Sequence, residues 1–341
     1  MRCAHCKAVI EGRYIQAGRL CFHPGHFLCH ACQLPIQGSY QVHAGRFLHP
    51  ACYAEHHAPR CPVCAQAITG QAVIHEGRAH HPRCYEQTAA LQCVVCAKGI
   101  VGPALTDYWG NTYHAAHARE FGTCQYCARL THASIGGGGL NYPDGRVICR
   151  GCHRTAVHRE ADVRRLLTEV RARFGQWGVD LGRVDIPLKV VDRNQLNQLL
   201  RRSAHQPSKW VSGLWQMVFE QQGATRQNKQ GTMYLLGGMP LAVIEATAAH
   251  ELMHAWNYYH ARPHAFALEE GACNYMSYRM YLARNNEEGR YHIDALMKDP
   301  DPAYGAGFRK VKGYVDRHGF PRLLTLLKES HDFPMFGGWF G

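Results

Sequence analysis

The chain has 341 residues, 46% of them hydrophobic, which is enough for two or more domains with sizeable cores. Its formal charge is +12, and zinc binding through thiolates would lower that value yet leave the chain basic. A basic balance permits an acidic partner without specifying one. No apolar run approaches the roughly 18 residues of a membrane span, and Met1-Arg2-Cys3 is not followed by the apolar stretch of a secretion signal. The expectation is a cytoplasmic protein without a membrane segment.

Sixteen cysteines and 24 histidines are the anomaly. Close Cys pairs mixed with His, without a signal for export, point to metal rather than disulfides. Fourteen of the cysteines fall into five sets. The first is Cys3, Cys6, His23 and His26; the second Cys29, Cys32, His49 and Cys52; the third Cys61, Cys64, His81 and Cys84. Each has sixteen residues between its inner ligands. Cys93, Cys96, His114 and His117 stretch that interval by one, and Cys124, Cys127, Cys149 and Cys152 stretch it to twenty-one. Cys21 and Cys273 are left over.

Two ligands separated by two residues sit on one tight knuckle and take two corners of a zinc tetrahedron, while a hairpin returns the other two. Gly45, Gly77, Gly110 and Gly145 stand four residues before the third ligand and Gly18 stands five before it. A glycine there predicts a turn of positive φ. Five structural zinc ions are expected.

Only Phe27 and Leu28 separate sets one and two, and this double-zinc layout resembles a LIM domain. Sets three and four look like a second, atypical LIM domain, because Tyr85 to Gln92 intervene. The fifth set resembles a lone zinc ribbon. The organisation read from this is 1–57 and 58–120 as LIM domains, 121–153 as the ribbon and 154–341 as a further domain. The resemblance to LIM modules implies protein partners and zinc without catalysis.

Beyond Cys152 the pattern changes. Residues 154–176 carry Val157, Ala161, Leu167, Val170 and Phe174 at near-helical spacing, which predicts an amphipathic helix. Ile186 to Val191, Leu214 to Phe219 and Thr232 to Leu236 read as strands. The polar stretch from Gln221 to Gly231 reads as a turn, making the last two strands a hairpin.

Leu241 to Ala249 is apolar and alanine-rich, as in a buried helix, and leads into His250-Glu251-Leu252-Met253-His254. On a helix, residues four apart share a face, so His250 and His254 can hold one metal ion, with Glu251 beside it as a base. Glu251 would take a proton from the attacking water and return it to the leaving amine. A catalytic zinc needs a third protein ligand. His260 stands at the metzincin offset, with Asn257 in place of the usual glycine. Glu270, opening a second helical run through Tyr281, fits the gluzincin arrangement. Glu269 and Glu270 would also favour a helix N-terminus electrostatically.

From about Cys124 to Arg284 the chain is similar to the C-terminal region of the plant LIM-domain latent peptidases that restrict organ growth. The resemblance is carried by Asp144-Gly145-Arg146-Val147-Ile148-Cys149-Arg150-Gly151-Cys152, Gly238-Met239-Pro240-Leu241, the His250 to Trp256 helix and Glu269-Glu270-Gly271-Ala272-Cys273. It implies an α+β, zincin-like metallopeptidase domain behind the hairpin modules, with Glu270 as the third ligand. The chain departs from that family in having more zinc sets and no segment identified as a ubiquitin-interacting motif. Activation by ubiquitin is therefore not carried over.

The expected function is a zinc endopeptidase with one catalytic and five structural zinc ions. Thr232 to Leu236 is the expected edge strand for an extended substrate. An oxyanion donor is sought among Tyr258, Tyr259, His264, Tyr291 and His292. The alternatives are a non-catalytic LIM scaffold, which leaves Glu251 unexplained, and a nucleic-acid-recruited protease. The second lacks support, because the basic residues are dispersed and no base-stacking module is evident.

Overall fold

The computed structural model describes residues 1–88, 91–182, 184–201, 211–222 and 225–333, with the side chains of 218–230 left aside. The aromatic tail residues Phe336, Trp339 and Phe340 lie outside the described residues. The chain forms two compact units: Met1–Thr106 with Thr112–Ala115, and Asp107–Asn111 with Ala116–Gly341.

The first unit is built of short antiparallel hairpins. These are β1 (Ile15–Ala17) with β2 (Leu20–Phe22), β3 (Gln41–His43) with β4 (Arg46–Leu48), β5 (Val73–His75) with β6 (Arg78–His80), and β7 (Ala104–Thr106) with β8 (Thr112–His114). Helices α1 (Pro50–His56) and α2 (Pro82–Thr88) each start with proline, whose fixed φ suits the first turn. The glycines expected to turn the hairpins do so: φ is +61° at Gly18, +75° at Gly45 and Gly77, +80° at Gly110 and +82° at Gly145. Phe27, between the first two sets, is buried with its ring 5.1 Å from Phe22 and 5.0 Å from Phe47, so those two sets share a small aromatic core. In the longer spacer between sets three and four, α2 supplies the chain as far as Thr88. Its Glu86 carbonyl lies so close to Gly99 that no Cβ fits there.

The second unit begins with α3 (His117–Glu120), the hairpin β9 (Gly139–Asn141) and β10 (Val147–Cys149), and α4 (Arg150–Arg154). Cys124, Cys127, Cys149 and Cys152 are all buried, in the same hydrophobic core as the helices that follow. The 121–153 segment is thus packed as part of this unit. Arg146 fastens it: the buried guanidinium pairs with Asp144 at 2.8 Å and donates to the Tyr126 hydroxyl at 2.8 Å and the Gly237 carbonyl at 2.7 Å.

The helix expected over 154–176 starts later. Ala156–Val157 is a short strand, β11, and α5 runs Glu160–Gln176 with Glu160 and Asp162 in its first turn. Val163 joins Leu167, Val170 and Phe174 on its buried face, whereas Ala161 is exposed. Then come β12 (Leu188–Val191) and α6 (Arg193–Leu200), which opens with a capping box made by Asp192 and Gln195.

β13 (Gly213–Gln222) and β14 (Thr225–Leu236) pair antiparallel as expected, and within the polar stretch read as a turn, residues 221–222 and 225–231 belong to these strands. Sheet order is β12-β14-β13, with β12 parallel to β14. This corrects the edge-strand expectation. Thr232 to Leu236 lies in the central strand, and β12 and β13 are the edges.

β15 (Met239–Pro240) pairs with β11, and the Leu241 N–H donates to the Thr155 carbonyl at 2.9 Å, which fixes the start of α7 (Leu241–His260). α8 (Phe266–Arg284) follows, ended by Asn285 in the left-handed region at φ +46°. α9 (Glu287–Lys298), α10 (Gly305–His318) and α11 (Phe320–Glu329) complete the unit, and Phe333 packs on its core. α8 and α10 pack backbone to backbone at Gly271 and Gly307, where a Cβ on Gly271 would lie 2.5 Å from the Gly307 carbonyl. Among the described residues no helix is long and apolar enough to cross a membrane.

Candidate metal centre and cleft

Each of the five Cys/His sets predicted from spacing is gathered into a cluster that could hold a metal ion, its ligand atoms within 4.8 Å of one another. The knuckles share one geometry. The first Cys carbonyl accepts the N–H of the residue four positions on, at 2.8–2.9 Å, in all five. That residue is Lys7, Gln33, Ala65, Ala97 or Ala128, and each has φ between +55° and +63°. None is glycine, so sequence carried no signal for this conformation. Closing the turn outweighs the local strain.

A tetrahedral zinc with Zn–S of about 2.3 Å and Zn–N of about 2.0–2.1 Å sets its S and N corners roughly 3.5 Å apart. The Cys–His Nδ1 separations are 3.5 Å for Cys6–His23, 3.3 Å for Cys32–His49 and Cys64–His81, and 3.6 Å for Cys96–His114. Three of those imidazoles turn Nε2 to a backbone carbonyl: His49 to Pro35, His81 to Ala67 and His114 to Gly99. That contact orients the ring and selects the ligating nitrogen. Cys21 is in none of these five sets; its thiol meets the Met1 sulfur at 3.4 Å.

On α7, His250 and His254 lie one turn apart with their Nε2 atoms 3.2 Å from each other. The opposite nitrogens are held. His250 Nδ1 meets Asn274 Oδ1 and His254 Nδ1 meets Glu269 Oε1, both at 3.0 Å. Glu270, buried on α8, brings Oε2 to 3.2 Å from His250 Nε2 and Oε1 to 3.7 Å from His254 Nε2. Yet Glu270 Oε2 makes no hydrogen bond of acceptable geometry. The three groups face a common point rather than each other, and a tetrahedron of zinc and N/O ligands has edges of roughly 3.3 Å. The donor set therefore fits a zinc ion.

His260 does not join them. α7 continues through Asn257 to His260, which is exposed with its ring against Trp256. Six helical residues carry a side chain roughly 240° round and about 9 Å along from His254. Asn257 is a buried helical residue, not the turn that a metzincin requires.

Glu251 is 4% exposed. Burial raises its pKa, opposed by His250 and His254 and by the Trp215 backbone N–H that faces it. Burial also acts upward on Glu270, but His254 and His250 outweigh it and hold that carboxyl well below the carboxylate range. Cys273, buried one helical turn from Glu269, has its thiol pushed up to about 12 by burial.

The group opens into a cleft of about 570 Å³ bordered by Gly213, Leu214 and Trp215 of β13. Of the five oxyanion candidates only His292 lines it. His264 is tied to the Leu327 carbonyl at 2.7 Å, Tyr291 packs on Trp109, and Tyr258 and Tyr259 meet edge to face. Sequence reasoning missed Tyr304, which lines the cleft with its ring parallel to His250 at 6.5 Å. Its backbone carbonyl accepts from Asn274 Nδ2 at 2.9 Å. Asp301 Oδ1 takes the N–H groups of Ala303 and Tyr304, so the loop is preorganised. Asn274 stands one turn beyond Glu270 and was legible by spacing. Tyr304 comes from a distant loop, and no local pattern marks it.

Hairpins with LIM-like zinc clusters, followed by a mixed α/β unit with a His–His–Glu centre on adjacent helices, define the class of this protein. A family model described as DA1-like, Protein DA1, matches residues 188–289. Protein DA1 of Arabidopsis thaliana is 24% identical over 393 residues, covering 98% of this chain and 68% of its own length. Protein DA1-related 1 of Arabidopsis thaliana is 24% identical over 397 residues, covering 97% and 66%. LIM domain-containing protein HDR3 of Oryza sativa subsp. japonica is 23% identical over 402 residues, covering 98% and 74%. The chain is thus similar to DA1-like proteins, and it spans about two thirds of the length of the two Arabidopsis relatives.

Proposed function

We propose that the second unit is a zinc-dependent endopeptidase of the gluzincin kind, with the LIM-like clusters serving protein recognition or regulation. The observation that carries this reading is the convergence of His250, His254 and Glu270 on one point with Glu251 beside it at the edge of a cleft. A zinc ion held by those three groups would polarise the scissile carbonyl and acidify water.

The chain's own residues supply the rest. Glu251 is placed to take the water proton and deliver it to the leaving amine, and its raised pKa suits that shuttle. A scaffold gives no reason to bury this carboxylate, since isolation from water is costly. β13, an outer strand of the sheet, lines the cleft beside Glu251 where an extended peptide would lie. Tyr304 can donate its hydroxyl to the developing oxyanion from a preorganised loop.

The test is hydrolysis of a peptide library by the zinc-loaded protein, alongside Glu251→Gln. Glutamine preserves size and removes the base, so the variant should keep its zinc and lose roughly 10²–10⁴-fold in activity. Proteolysis unchanged in the variant rules this mechanism out.

A further inference from the structure

The cleft has an arm that the chemistry at the metal centre does not use. On α7, Val243, Thr247 and His250 are spaced four and three apart and share one face; on α8, Glu270, Asn274, Ser277 and Tyr281 do the same. The two helices are antiparallel here, tied by the Ser277 hydroxyl donating to the Ala246 carbonyl at 2.8 Å. The arm therefore runs from the histidines toward the start of α7 and the end of α8. The seven helical steps from His250 back to Val243 make it roughly 10 Å deep.

Its far end is closed by α9. The His292 ring lies flat on Tyr281, centroids 4.7 Å apart and planes 16° from parallel, and Leu296 adds an apolar wall. Burial and nearby Arg284 depress the His292 pKa to about 4, so the imidazole is neutral at pH 7. Arg284 itself is engaged with Glu245 at 2.8 Å. Asp299 at the border turns Oδ1 to the N–H of Asp301. An acidic side chain entering this arm would lose hydration without gaining a counter-ion, because Arg284 is already paired with Glu245. A flat ring would meet aliphatic walls and a stacked aromatic pair, to which it can pack offset or edge-on.

We infer that this arm is a side-chain subsite that selects an aromatic residue next to the scissile bond. The inference rests on the peptidase reading and names the substrate class of that site.

The zinc-loaded full chain should be given peptides that differ only in Phe, Leu, Ala, Lys or Asp at each position around one bond. One position is expected to favour Phe over Ala by roughly 10–100-fold, the worth of burying one large apolar side chain. Leu296→Trp and, independently, Val243→Phe fill the arm and should collapse that ratio toward one. Cleavage without aromatic preference, or a preference that neither filled variant changes, overturns the subsite while leaving the peptidase reading intact. If no peptide is cut, the peptidase reading fails instead. The subsite is then judged by calorimetry with two hydroxamates bearing a benzyl or a methyl side chain, and equal affinities overturn it.

Discussion

Gly213 leaves the space that Glu251 occupies. A Cβ at Gly213 would lie 2.7 Å from Glu251 Oε1 and 2.7 Å from Thr247 Cγ2. β13 and α7 therefore approach as closely as backbone permits, and the Trp215 N–H reaches the Glu251 carboxylate. Gly213→Ala should push Glu251 out of position and lower kcat by roughly 10–100-fold, since small misplacement of a catalytic group is costly. Zinc content should stay the same. Steady-state kinetics with metal analysis checks this; an unchanged kcat would mean the carboxylate has room to move.

Glu270→Ala should lose one zinc under mild chelation, because two histidines alone hold zinc poorly. His260→Ala should keep it, since that ring faces Trp256 on another side of α7. The five clusters with four ligands each serve as the internal reference. Loss of zinc from the His260 variant, with retention in the Glu270 variant, would reverse the assignment.

His292 should make the protein acid-labile. Its pKa falls from 6.5 to about 4 on folding, with burial as the main cause. The unfolded chain thus binds more protons between those values, and stability is present above about pH 6.5 and lost as pH falls toward 4. The loss at pH 5 is about 1–2 kcal/mol. His292→Gln should flatten this limb in denaturation curves at pH 7 and pH 5. An equally steep fall in the variant would place the acid sensitivity elsewhere.

The fifth cluster should matter more to global stability than the second. Cys124 and its partners lie within the core of the second unit, whereas Cys32 is exposed on a small hairpin module. Zinc binding is worth about 10–16 kcal/mol in isolated peptides, comparable to a whole domain. Cys124→Ser should abolish the folding of the second unit. Cys32→Ser, at the exposed member of the second cluster, should cost one zinc and loosen only its own knuckle, and amide exchange distinguishes the two.

The sequence by itself determined the metal clusters and the histidine pair, because ligand spacing is short-range geometry. A Cys-x-x-Cys knuckle and its hairpin return are set within 24 to 29 residues, and two histidines four apart meet wherever a helix forms. The turn glycines were legible for the same reason. The tertiary structure decided what depends on distant partners. The continuation of α7 through Asn257 turned His260 away, and the seating of α8 brought Glu270 to the histidines. Parallel pairing with β12 made Thr232 to Leu236 central and left β12 and β13 as the edges. Burial of the fifth cluster among the helices, and delivery of Tyr304 from a far loop, likewise came from packing between segments remote in the chain. Periodicity reports which face of an element is apolar; it does not say which element will cover that face.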